Sequence, residues 1–271
     1  MTNSALLFPG QGSHFAGMDE PYRGHPLFQR GLELLGFDPF ESLQQGTREQ
    51  QPAIFLCSVT AWDQRRDGLT PVAAAGHSLG EYAALVAADA LAFEDALALV
   101  DERARAMADA AAAPSGGMVA MLGGDGDAVR ALADELGLVV ANDNAPGQLV
   151  LAGPQAAIDA AVRRGRDETG ARPRALDVAG AFHSPLMEPA AERLAAALRR
   201  TPFQAPRFPV YSNGTAAPFV DVRAELAENL LSPVRWRETV LALAADGVDD
   251  FVELGPGEVL GALVRRTLVP A

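Results

Sequence analysis

An α/β fold carrying an inserted, ferredoxin-like small subdomain is what this sequence predicts, and three observations predict it. Short apolar runs alternate with helix-length amphipathic patterns along the chain, as in a sheet covered by helices. Between residues 115 and 182 the alternation takes the order β-α-β-β-α-β, the split βαβ arrangement. The third observation is Gly76-His77-Ser78-Leu79-Gly80, set between an apolar run and a helical run. That is the strand–turn–helix context of a G-x-S-x-G nucleophile elbow.

Taken in order, residues 5–8 read as the first strand and lead into the loop Pro9-Gly10-Gln11-Gly12-Ser13. Residues 71–75 form a strand that ends at the elbow, whose two glycines allow a turn too tight for a bulky Cβ. Residues 81–86 continue as a helix, and 93–113 carry a helical apolar stripe. Pro114-Ser115-Gly116-Gly117 breaks that helix and marks a domain crossing. In the insert, 118–122, 138–141, 149–152 and 174–178 read as strands, and 127–136 and 155–168 as helices. Asn144-Ala145-Pro146-Gly147 joins the two middle strands. The expected division is therefore a core of 1–114 with 183–271, and a small subdomain of 115–182.

Composition narrows the function. The 271 residues are 49% hydrophobic and 21% charged, values of a folded globular chain rather than a disordered one. The start has no basic segment of a signal peptide, and no apolar stretch of membrane-spanning length is free of charge. A cytoplasmic protein with no membrane partner is expected. Cys57 is the only cysteine, which excludes an internal disulfide and a cysteine-based metal site. All 22 basic residues are arginine, so Schiff-base chemistry and a P-loop, which need lysine, are excluded. A net charge of −13 argues against nucleic acid.

An elbow serine needs a base, and the chain has four histidines. His77 adjoins Ser78 and projects elsewhere. His25 lies in a polar segment, and His14 lies in the glycine-rich loop. His183 is the best candidate: Ser184-Pro185 after it reads as an N-cap and first helical residue. The positive end of that helix would keep the imidazole neutral and proton-accepting. On the residues alone, Ser78 is either a nucleophile or a turn serine, and His183 either a base or a polar cap. Helical geometry singles out Arg103. At 100° per residue it shares the apolar stripe of 93–113 with Ala96, Leu99, Val100, Met107 and Ala110. A guanidinium there needs an anionic partner, either an internal carboxylate or the carboxylate of a substrate held by a two-point fork.

With these residues in view, the chain resembles the malonyl-CoA:acyl-carrier-protein transacylases and the acyltransferase domains of polyketide synthases. Eight segments carry the resemblance in order: 8–13, 51–54, 76–82, 103–107, 144–148, 181–187, 232–236 and 253–257. The resemblance implies a hydrolase-like parallel-sheet core with the cleft between it and the insert. It also implies a Ser78–His183 dyad oriented by backbone carbonyls, and an oxyanion hole from the amides of Gln11 and Leu79. Leu79 also follows from its place after the elbow serine. Arg103 would bind the substrate carboxylate, and Phe182 would crowd an α-substituent and favour malonyl, unless it is simply core. Asn229, near the histidine where the family commonly has glutamine, would be a further substrate-binding residue. His14 stands where glutamine is usual and Ala104 where glycine is usual, and the stretch from Met18 to Gln51 is short.

The expected reaction is ping-pong transfer of malonyl from malonyl-CoA, through a malonyl-serine, to the phosphopantetheine thiol of an acyl carrier protein, in fatty-acid or polyketide biosynthesis. No cofactor or metal is expected beyond the CoA thioester itself, and a monomer is the expected state. Arg163, Arg164, Arg166, Arg172 and Arg174 are candidates for docking an acidic carrier. The rival readings are a polyketide-type acyltransferase for another acyl group, a serine thioesterase or esterase, and a non-catalytic carrier-binding module. Against the hydrolases, no histidine follows His183.

Overall fold

Alternate residues of the first strand bury on opposite faces, and this sets the layering. The computed structural model describes residues 2–112 and 116–269. β1 (Ser4–Phe8) sends Leu6 and Phe8 to one apolar cluster and Ala5 and Leu7 to another, the period-two pattern of a strand covered on both sides. β2 (Pro71–Gly76), β7 (Val210–Tyr211) and β8 (Asp250–Glu253) complete a parallel sheet in the order β7-β2-β1-β8. One face packs on α1 (Pro26–Leu35), α2 (Thr47–Arg65), α3 (Gly80–Ala87), α4 (Phe93–Ala111), α7 (Glu188–Leu198) and α8 (Val222–Glu228). The other face packs on α9 (Trp236–Ala245) and α10 (Val259–Leu268).

The second sheet is antiparallel in the order β4-β5-β3-β6. Its strands are β3 (Gly116–Leu122), β4 (Val139–Ala145), β5 (Gln148–Pro154) and β6 (Arg172–Ala175). α5 (Gly126–Leu136) and α6 (Gln155–Thr169) cover one face through Val129, Ala133, Ile158 and Ala161. Met118, Ala120 and Val150, on the opposite face, look toward the parallel sheet and line the cavity between the two sheets. This is the predicted βαββαβ order with the strand order of a ferredoxin-like sheet. β4 is also stitched to the core: Asp143 N–H donates to the Val234 carbonyl at 2.9 Å and Val234 N–H to that of Ala141 at 2.8 Å.

Two element boundaries differ from expectation. The last strand is 172–175 rather than 174–178, because the chain leaves β3 after Leu176 bonds Met118, and 176–178 turn to line the cavity. The hairpin turn is Pro146-Gly147 alone, since Asn144 and Ala145 still belong to the strand and Gly147 takes the left-handed φ of 66°. The predicted crossing at residues 114 and 115 lies outside the described residues. Among those described, no helix is long and apolar enough to cross a membrane.

Candidate active site

The carboxyl ends of parallel strands are where an α/β sheet gathers its chemistry, and here β1, β2 and β7 end on Pro9–Gly10, the elbow and Ser212–Asn213. The elbow is tight because a Cβ on Gly76 would lie 1.8 Å from the Gly80 carbonyl carbon, and one on Gly80 only 2.0 Å from the Phe8 oxygen. Ser78 itself holds φ 52°, a left-handed conformation that disfavours L-residues and persists only when the surroundings impose it. Asn213 imposes it: its Oδ1 accepts from Ser78 N–H at 2.6 Å and its Nδ2 donates to the Gly76 carbonyl at 2.7 Å.

Ser78 Oγ lies 2.8 Å from His183 Nε2. The opposite ring nitrogen, Nδ1, faces the carbonyls of Asn229 at 2.8 Å and Ser232 at 3.1 Å. Two acceptors on Nδ1 fix the proton there and leave the Nε2 lone pair for the serine hydroxyl. Ser184 caps the short 3₁₀ turn 185–187, as expected. The cause of His183's neutrality, however, differs from the predicted helix dipole. Burial, and then the Arg103 charge, push the imidazole down to about 3.

This has a consequence for stability. A histidine whose folded pKa is below its unfolded value binds fewer protons when folded, so its contribution is complete above about pH 6.5 and is lost toward pH 3. Each unit in that window is expected to cost about 1.4 kcal/mol. Melting temperature against pH should therefore fall less steeply for His183→Gln than for the unaltered protein; parallel curves would contradict the depressed pKa.

Arg103 is 1% exposed on the buried stripe of α4. Its guanidinium donates to Gln51 Oε1 at 2.5 Å and to Ser78 Oγ at 2.9 Å, and lies 6.0 Å from the centre of the Tyr82 ring. Among the described residues no carboxylate comes within 4.0 Å of it. The alternative of an internal ion pair is thus not what the structure holds, and the cation sits behind the serine with N–H groups to spare.

The other predicted residues divide. Phe182 is buried and lines a cavity of about 400 Å³ together with Ser78, His183, Gln11 and His14. The backbone N–H groups of Gln11 and Leu79 have no hydrogen-bond partner among the described residues, which leaves both available to an oxyanion. Asn229 corrects its assignment as a substrate-binding side chain. Its backbone carbonyl holds His183, while its amide turns away from the cavity to donate to Glu81 Oε2 at 2.8 Å. His77 is half-buried, lines the same cavity as Ser78 and bonds Asn144 on β4; His25 caps α1. Among the proposed docking arginines, Arg164 is engaged by Glu135 and Glu168. Among the described residues no three His, Cys, Asp or Glu side chains are grouped to hold a metal.

Gln51, Asn213 and Glu81 were not singled out from sequence. Gln51 orients Arg103, and its own amide bonds Thr47 at 2.7 Å. The signal for Asn213 was the polar run Ser212-Asn213-Gly214-Thr215 after an apolar strand, at a sheet end where ligand-binding loops gather.

A serine bonded to a neutral histidine, on a cavity between a parallel and an antiparallel sheet, defines an enzyme of covalent acyl transfer. The family model described as "Acyl transferase domain" matches residues 32–270. The malonyl CoA-acyl carrier protein transacylase of Bacillus subtilis is 39% identical, over 98% of this chain and 90% of its own. The solved structure of that enzyme from Coxiella burnetii is 32% identical with a TM-score of 0.92, covering 98% of this chain and 91% of that one. A malonyl-transacylase solved in complex with a type II polyketide synthase acyl-carrier protein is 34% identical with a TM-score of 0.91, over 98% and 93% of the two chains. The chain belongs to the acyl transferase family.

Proposed function

We propose that this protein transfers malonyl from malonyl-CoA to the phosphopantetheine thiol of an acyl carrier protein, with Ser78 as nucleophile and His183 as base. The observation that carries the reading is the buried Arg103, in contact with Ser78 Oγ and without a salt-bridged carboxylate among the described residues. Neutral thioester chemistry has no use for such a cation, whereas a malonyl group brings a carboxylate to it.

In the forward half-reaction His183 Nε2 takes the Ser78 proton as Oγ attacks the thioester carbonyl. The tetrahedral oxyanion is held by the Gln11 and Leu79 N–H groups, and the imidazolium returns its proton to the departing CoA sulfur. Once Oγ is an ester it is a poorer acceptor. The Arg103 N–H bonded to it then becomes free to complete a fork on the malonyl carboxylate. In the second half-reaction the carrier thiol gives its proton to His183 and attacks the ester; the Ser78 Oγ–acyl bond breaks and Oγ takes the proton back from His183 Nε2. Phe182, next to the histidine in the chain and on the same cavity wall, would crowd an α-methyl group.

The supporting arrangement is a catalytic core of 1–114 and 183–271 with the small subdomain 115–182 as lid. The reading needs no cofactor beyond the CoA thioester, and it includes a cytoplasmic monomer. The direct test is intact-mass measurement after incubation with malonyl-CoA, methylmalonyl-CoA or acetyl-CoA. A malonyl increment mapped to Ser78, stable until a carrier-protein thiol arrives, is expected. An adduct that hydrolyses as fast without the thiol would make the protein a thioesterase, and no adduct would make it a binding module.

A further inference from the structure

Glu81 is the second residue of α3 and is 1% exposed. Nothing in the reaction above uses it, and its carboxyl group does not touch the cavity. Its two oxygens face two different asparagines. Oε1 accepts from the backbone N–H of Asn213 at 2.6 Å, and Oε2 accepts from Asn229 Nδ2 at 2.8 Å. Each asparagine in turn holds one half of the dyad. Asn213 clamps both sides of the elbow through Ser78 N–H and the Gly76 carbonyl. Asn229 presents its carbonyl to His183 Nδ1.

We propose that Glu81 is a positioning residue, a strut whose carboxyl group sets the distance between the nucleophile's turn and the carbonyl that orients the base. The proposal rests on the assignment of Ser78 and His183 above. Both of those residues sit at left-handed φ, 52° and 56°. Neither conformation is favoured by its own side chain, so both must be held from outside. A planar carboxyl group offers two acceptors at a fixed separation, and here one oxygen faces each loop. The dyad has no acid on its histidine; the acid stands one residue further back and acts through the carbonyl.

The strut is also indifferent to its own protonation. Burial pushes the Glu81 carboxyl up to about 8, opposed by the Asn213 N–H and the Arg103 charge. Asn229 Oδ1 is buried without a partner. If Glu81 carries a proton, rotation of that amide presents Oδ1 to the acid O–H in place of Nδ2–H to the carboxylate. The same exchange accommodates a glutamine at position 81, whose Oε1 accepts from Asn213 while its amide donates to Asn229 Oδ1.

The test is the rate at which a fluorophosphonate labels Ser78, which needs the dyad but no malonyl recognition, read beside the ¹⁵N-coupled resonance of His183 Nδ1–H. Glu81→Ala is expected to label about 100-fold more slowly, the order of loss for an ångström of misplacement. It should also lose the protected Nδ1–H signal. Glu81→Gln is expected to restore both to within about tenfold of the unaltered protein, since its acceptor and donor replace the two lost bonds. Asn229→Ala, which keeps the carbonyl and removes only the arm to Glu81, should be slowed as well, and combining it with Glu81→Ala should add little.

A folded Glu81→Ala protein that labels at the unaltered rate and keeps its Nδ1–H resonance would overturn the strut. So would a glutamine variant as slow as the alanine one. If Glu81→Ala does not fold, Asn229→Ala decides, and an unaltered rate there overturns the proposal. Failure of the underlying dyad is a different result: His183→Ala would then label Ser78 as fast as the unaltered protein.

Discussion

His183→Ala is expected to slow formation of malonyl-Ser78 by about 10⁴-fold, the upper range for losing a positioned general base. The serine hydroxyl has one proton acceptor in place, Nε2 at 2.8 Å, and the lone pair points at it because Nδ1 is tied to two carbonyls. Without the ring, the proton must go to water inside a buried site, while the oxyanion hole proposed for the Gln11 and Leu79 amides would remain. That residual contribution is why the loss stops short of complete inactivity. Quenched-flow mass measurement of the Ser78 adduct reads the rate directly. A loss of under tenfold would mean that another group takes the proton.

Arg103→Ala is expected to reverse the preference between malonyl and acetyl groups. Malonyl transfer should fall by about 100- to 1000-fold, the worth of a desolvated charge-assisted fork on a carboxylate. Acetyl transfer should hold or rise. The acetyl group carries no charge that needs the guanidinium, and with the guanidinium gone the base that serves both substrates becomes stronger. Gln51 Oε1 loses its partner in this variant, a cost to stability rather than to selectivity. The comparison of kcat/KM for malonyl-CoA and acetyl-CoA in both proteins settles the point. Equal losses for the two substrates would show that Arg103 supports Ser78 without reading the acyl group.

Much of the arrangement was legible in the chain because its signals are local. The apolar run of residues 5–8, the glycines flanking Ser78, and Arg103 on an apolar stripe each reside within one element or one turn. The βαββαβ order of the small sheet was readable because its strands and helices alternate with clear breakers. The end of the last strand was misread, since 174–178 is apolar in pattern whether it pairs or lines a cavity. Asn229 was drawn into the substrate site by its place in a motif. Its side-chain direction depends on Glu81, 148 positions away.

What the sequence by itself determined was the kit: an elbow serine, a histidine ahead of a helix start, a cation on a buried face, and the alternation that builds two sheets. What only the tertiary structure decided was how these parts are held and charged. Ser78 reaches its histidine across 105 positions and its clamp at Asn213 across 135, separations over which no periodic pattern carries information. The imidazole's neutrality, too, comes from burial and from a guanidinium on another helix. Desolvation and Coulomb fields belong to the packed volume around a group, and that volume exists only once the chain has closed around it.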